Sequence, residues 1–85
     1  MEIEYVQAKT LKEKPAWDQN LGFGKYFTDY MFTMDWTVNK GWHNAKIEPY
    51  APICLDPATL VLHYAQETFE GLKAYKSKDG NVLLF

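Results

Sequence analysis

Arginine is missing altogether from these 85 residues. The planar guanidinium is the usual bidentate ligand for phosphate, so a phosphate-gripping role lacks its commonest side chain. Cysteine occurs once, at Cys54. A single thiol excludes an internal disulfide framework and cannot build a metal cluster alone. No apolar run is long enough to span a bilayer, and the opening MEIEYVQAK is acidic, unlike the basic start of a signal peptide. Nor is there a basic stripe. The nine lysines are scattered among eleven acidic residues, for a net charge of −2, which argues against a nucleic-acid surface. The expectation is a soluble cytoplasmic protein with no nucleic-acid and no membrane partner.

What is present is apolar and aromatic. Hydrophobic residues make up 47% of the chain and aromatic residues 16%, so it is not a disordered tail. Its length suits one small domain. Residues 1–20 are polar and mixed, with a lysine-rich KTLKEKP patch ending at Pro15, and are expected to form a loosely held arm. In FTDYMFTMDWTV, Tyr30, Phe32, Met34 and Trp36 alternate with Met31, Thr33 and Asp35, the period of a half-buried strand. NKGW (Asn39 to Trp42) reads as a turn around its glycine. KIEPYAPICL is a second extended stretch. Pro49 and Pro52 cannot donate to a ladder, which places it at a sheet edge or makes it irregular.

The most regular pattern lies in LDPATLVLHYAQETFEG. Asp56 suits an N-cap and Pro57 a first helical position. Leu60, Val61, Tyr64, Ala65 and Thr68 recur at helical spacing, and Gly71 suits a left-handed C-terminal cap. The spacing predicts one well-capped helix over about 57–70. LKAYKSKDGNVLLF then reads as a hairpin over about 72–85, turning at Asp79-Gly80. The fold class expected is α/β, of the α+β type, with antiparallel strands. An apolar strand cut off at Phe85 leaves a sticky edge, so the chain is expected to be the N-terminal piece of something longer.

Candidate chemistry is sparse. Lys73 stands just past a helix end, where a lysine is most often solvated. A Schiff-base lysine needs a desolvated pocket or a nearby cation, and nothing in the sequence supplies one. Glu70 is as easily exposed as it is a partner to Lys73. His63 and Glu67 stand one helical turn apart, as metal ligands do, but no third ligand accompanies them and no metal is expected. His43 sits beside a turn and is expected to be exposed. Cys54, between Ile53 and Leu55, reads as a small buried hydrophobe. LGFGKYF holds a G-x-G that precedes a strand and lacks the rest of a dinucleotide fingerprint.

FGKYFTDYMFTMDW, KGW, I-x-PY and LDPATLVLHYAQETFEGLKAY together resemble the N-terminal segment of the branched-chain-amino-acid aminotransferases, fold-type IV pyridoxal-phosphate enzymes. The resemblance runs from about Leu21 to Phe85. It implies an arm over 1–20 and an incomplete small N-terminal domain over 21–85. It also implies a cofactor-bearing lysine and a phosphate-binding arginine, both beyond Phe85. Lys73 then matches a lysine that does not carry the cofactor, and the segment is not catalytic alone. No catalytic or cofactor-binding residue is expected within it.

By the same resemblance, Phe23, Tyr64 and Phe69 match the aromatics that line the substrate side-chain pocket. An apolar cage selects leucine, isoleucine and valine by burial, and the Tyr64 hydroxyl offers a polar edge to glutamate and the 2-oxo acids. The family's arrangement has Tyr64 reaching into the neighbouring subunit of a homodimer. The competing reading of all three is ordinary core. Competing functions are a D-amino-acid aminotransferase, an aminodeoxychorismate lyase, or a non-catalytic dimerisation or binding module.

Overall fold

The computed structural model describes residues 1–16 and 19–84. The chain divides into two compact units, Met1–Ile53 and Cys54–Phe85. The regular elements are mostly strands, with one short helix in the second unit, as a small α+β domain has; two of the three strand pairings are antiparallel, as expected, and that of β1 is parallel.

The first unit is a three-stranded sheet, with β1 at Glu4–Tyr5, β2 at Tyr30–Thr37 and β3 at Gly41–Pro49, in the order β1-β3-β2. β2 and β3 form an antiparallel hairpin, and β1 adds a short parallel ladder to β3. The alternation in β2 is visible in the register. Tyr30 faces Pro49, Phe32 faces Ile47 and Trp36 faces Trp42. Directly opposed residues share a face, so these form one apolar face, joined by Tyr5 opposite Ile47. The other face carries Met31 opposite Glu48, Thr33 opposite Lys46, and Asp35 opposite His43.

Two sequence expectations change in this sheet, and a bulge is added. β3 is the central strand and not an edge. Pro49 is tolerated because it is the last residue of the strand, where the ladder asks least of its nitrogen. The β2–β3 turn centres on Val38 and Asn39, with the Lys40 amide donating to the Thr37 carbonyl at 3.2 Å. Gly41 follows it at φ 65°, a left-handed conformation that glycine takes without a Cβ penalty. The register also shifts between Thr33 and Asp35, where Asn44 and Ala45 together oppose Met34. Asn44 takes φ 58°, the left-handed first position of a bulge. Ala45, at 4% exposure, is the buried hydrophobic residue of this sheet.

The first sixteen residues are held and not loose. The Val6 amide donates to the Ile47 carbonyl at 2.8 Å, and the Ala8 amide to the Tyr30 hydroxyl at 2.9 Å. Lys12 and Lys14 then reach Asp29. A polar composition suggested fraying, yet the Val6 and Ala8 amides find acceptors on the sheet and the Lys12 amide finds one on Asp29, just before β2.

In the second unit, α1 spans only Leu60–His63, followed by the hairpin strands β4 at Ala74–Lys76 and β5 at Val82–Leu84. The helix predicted over 57–70 is thus one turn long. Asp56 does not cap it. Its carboxylate accepts from the Ala58 amide at 2.7 Å, closing a turn, and Thr59 takes the N-cap position without a capping bond, its hydroxyl donating to the Asp56 carbonyl at 2.6 Å instead. Tyr64 ends the helix and Ala65 leaves it at φ 50°, while Gly71 is not left-handed. No residue of α1 is buried. An apolar stripe with nothing of its unit packed on it cannot extend a helix, because propagation in proteins depends on tertiary burial.

The hairpin forms as expected, with Ala74 opposite Leu84 and Lys76 opposite Val82. Its expected last residue, Phe85, lies outside the described residues. The turn is longer than two residues. The Gly80 amide donates to the Ser77 carbonyl at 3.0 Å, so Lys78 and Asp79 are central, and Gly80 follows at φ 88°. Either primed two-residue turn centred on Asp79-Gly80 needs positive φ at its first centre, and Asp79 does not adopt it. Instead the Asp79 carboxylate accepts from the Ser77 hydroxyl and from the Asn81 side-chain amide. These bonds, that of Ser77 foremost, hold its carboxyl below the usual range.

Candidate functional site

Phe23 belongs to the first unit, and Tyr64 and Phe69 to the second. Phe23 is 97% exposed, Tyr64 81% and Phe69 92%. Within its own unit, none of the three is a core aromatic.

The backbone explains each placement. Phe23 sits between Gly22 at φ 66° and Gly24 at φ 72°. Two left-handed residues flanking one aromatic make a sharp reversal that only glycine adopts readily. The Asn20 side chain supports it by accepting from the Gly22 amide at 3.0 Å. Tyr64 stands at the C-terminal end of α1, its amide donating to the Leu60 carbonyl at 2.8 Å. Phe69 lies in the irregular stretch between α1 and β4, beyond the tight turn in which the Glu67 amide meets the Ala65 carbonyl at 2.8 Å. The two are therefore on different elements and not on one helix.

The remaining candidates fall in less reactive places. Lys73 is exposed one residue before β4 and gains no desolvation from the described residues. Glu70 is exposed. His63 does not pair with Glu67, which lies outside α1. Its Nε2 meets the Pro57 carbonyl at 2.6 Å. His43 is half-buried, with Nδ1 3.0 Å from the Gly41 carbonyl. Cys54 is exposed and not buried, since no element of its unit covers it. Among the described residues, no three histidine, cysteine or acidic side chains converge as a metal site would need. No helix there is long and apolar enough to cross a membrane.

Sequence reasoning passed over one hub, Asp29. Its Oδ1 accepts from the Lys12 amide at 2.7 Å, its Oδ2 pairs with the Lys14 ammonium, and its carbonyl accepts from the Tyr50 amide at 2.9 Å. The Lys12 ammonium meets the Thr28 carbonyl at 2.8 Å and lies 4.2 Å from the centre of the Tyr50 ring. Phe27 stacks on that ring, with centroids 5.8 Å apart. Lys14 first, and then Lys12, hold the Asp29 carboxyl below the usual range. The only side-chain signal was the Lys14 charge, since Lys12 reaches the carboxylate through its backbone amide.

No family model matches the chain. Among curated proteins it is 57% identical, over 83 residues, to branched-chain-amino-acid transaminase 1 of Bacillus subtilis, covering 98% of this chain and 23% of that protein. It is 62% identical over 77 residues to a probable branched-chain-amino-acid aminotransferase of Staphylococcus aureus, covering 91% of this chain and 21% of that one. It is 61% identical over 66 residues to the branched-chain-amino-acid aminotransferase of Mycolicibacterium smegmatis, or 78% of this chain and 18% of that one. The chain spans about a fifth of the length of the curated relatives it matches. Its sequence is that of a segment of the branched-chain-amino-acid aminotransferase family.

Proposed function

We propose that this chain supplies apolar pocket wall and dimer contacts to a cytoplasmic, homodimeric branched-chain-amino-acid aminotransferase. The whole enzyme would exchange the amino group of leucine, isoleucine or valine with 2-oxoglutarate. The observation that supports this most is the identity of more than half over nearly the whole chain with relatives of one name. Residues 21–85 would belong to the enzyme's small domain, with residues 1–20 as its arm.

Pyridoxal phosphate would serve such an enzyme as carrier of the amino group. The residues of this chain do not by themselves fit that group. There is no arginine. Lys73 stands in solvent, and α1 is too short to present an anion-binding terminus. On this reading, anchoring of the cofactor would fall to the length that the relatives have beyond the matched segment.

What these residues would do is bind and discriminate. Leucine and isoleucine offer only hydrocarbon, so contact with Phe23 and Phe69 would select them by removing apolar surface from water. Glutamate ends in a carboxylate, and the Tyr64 hydroxyl is a donor suited to it.

A chimaera tests this, with the present chain replacing the matched 83-residue stretch of the Bacillus subtilis transaminase. Phe69→Ala is expected to weaken leucine and isoleucine use by roughly 1–3 kcal/mol and glutamate use less. Tyr64→Phe keeps the ring and is expected to hurt glutamate and 2-oxoglutarate more. Equal losses for every substrate, tracking a lower melting temperature, would mean that both residues are plain structure.

A further inference from the structure

Phe23 is carried on a loop, described over residues 15–16 and 19–28, with two contacts that close it. At its base, Lys14 and Asp29, fifteen positions apart in sequence, form an ion pair. The Lys12 amide adds a 2.7 Å bond to the other oxygen of the same carboxylate. Further in, the Gln19 side-chain amide and the Tyr26 hydroxyl, seven positions apart, are hydrogen bonded. At the tip, the two left-handed glycines leave Phe23 almost wholly in solvent. Surface loops whose ends are pinched together in this way hold their tips by their own contacts.

Asp29 joins that base to the sheet. It precedes β2 directly, and its carbonyl accepts from the Tyr50 amide just past the end of β3. Its side chain is only 10% exposed while that of Lys14 is 63% exposed. The carboxylate is thus enclosed by the arm, and the lysine caps it from outside. The carboxylate is acceptor to a backbone amide and an ammonium together, a charge-assisted pair of bonds stronger than either neutral equivalent.

We propose that Asp29 is a positioning residue for substrate selection. Its carboxylate clips both ends of the Phe23 loop to the head of β2, and so fixes where the Phe23 ring stands. The inference rests on the reading of Phe23 as pocket wall. A ring set on two glycines has little intrinsic rigidity, because glycine restricts the backbone least. Rigidity has to come from the base. With the clip open, the ring would cover a branched side chain less of the time, and binding of leucine would weaken while the chemical step did not.

The chimaera tests this with two readouts. Asp29→Asn removes the charge and is expected to raise KM for leucine about five- to tenfold, with kcat and the KM for glutamate nearly unchanged. Lys25, exposed within the loop, is expected to be cut by trypsin faster. Asp29→Glu keeps the carboxylate and is expected to recover part of both. Lys14→Met opens the clip from its exposed side and serves if Asp29→Asn does not fold. Unchanged cleavage at Lys25 and an unchanged leucine-to-glutamate ratio in both clip variants would overturn the proposal. Phe23→Ala separates the two ideas. If it leaves leucine KM unaltered, the pocket reading of Phe23 fails and the selectivity role of Asp29 fails with it. If it raises leucine KM and the clip variants do not, the clip alone is refuted.

Discussion

The Asn44 side-chain amide donates to the Asp35 carboxylate 2.9 Å away, across the bulge that accompanies burial of Ala45. Asn44 holds φ 58° there. Asparagine enters that conformation more readily than most residues, and a β-branched side chain enters it at a cost of about 1–2 kcal/mol. Asn44→Val is therefore expected to destabilise by that amount plus the lost hydrogen bond. Asn44→Gly keeps the conformation and loses only the bond, about 0.5–1.5 kcal/mol. Melting midpoints of the chimaera are expected to fall in the order unsubstituted, Asn44→Gly, Asn44→Val. Equal midpoints for the two variants would show that backbone conformation at Asn44 does not matter.

Acid should open the arm. The Asp29 carboxyl is held below its usual value of 3.8 by Lys14 and Lys12. A carboxyl whose folded pKa is depressed contributes stability above its unfolded pKa and loses it as pH falls through the folded one. Docking of residues 9–16 is thus expected to be intact above about pH 4 and to fail below it. Carbon-detected NMR titration of Asp29 in the chimaera, with aspartate selectively labelled, would read it directly. The midpoint should lie below 3.8 and should rise in Lys14→Met. No rise would mean that the ion pair does not hold the carboxylate.

The isolated 85-residue chain is not expected to bind pyridoxal phosphate at one site. Lys73 is exposed like any surface amine, and no arginine is available for the phosphate. Treatment with the cofactor and borohydride, followed by peptide mapping, should give scattered low labelling over several lysines. Stoichiometric trapping on a single lysine would refute this.

Self-association of the isolated chain is expected too. Phe32 and Tyr5 on the first sheet, and Val82 and Leu84 on β5, are more than half exposed. Ala45 is the buried hydrophobic residue among those described. So little burial does not offset the ordering entropy of a chain this short. Sedimentation velocity across a range of concentrations should show species larger than a monomer. A monodisperse monomer with a sharp cooperative melt would contradict it.

The strands were legible because period-two alternation is local. Tyr30 to Trp36 declared their face in the sequence, and the register bears it out. Pro49 misled, since a proline inside an extended run looks like an edge when it is only an end. The helix was over-read for a related reason. Leu60, Val61 and Tyr64 have helical spacing, but spacing fixes only which face could be buried. Whether it is buried depends on what lies against it, and α1 has no buried residue. The Asp29 clip was nearly invisible. It joins residues seventeen positions apart through a backbone amide, and an amide leaves no trace in side-chain pattern. The aromatics of the proposed pocket became candidates only through family resemblance, since an exposed phenylalanine and a core phenylalanine are the same letter.

Trp36 and Trp42 face each other across the β2–β3 ladder. Two of the chain's three tryptophans thereby become a gauge of strand alignment. A slip of one residue would send them to opposite faces of the sheet and separate the indoles. The surroundings of each indole, and with them its emission, would change even if strand content did not. Any substitution at the bulge or the turn therefore carries its own optical readout, with no label added.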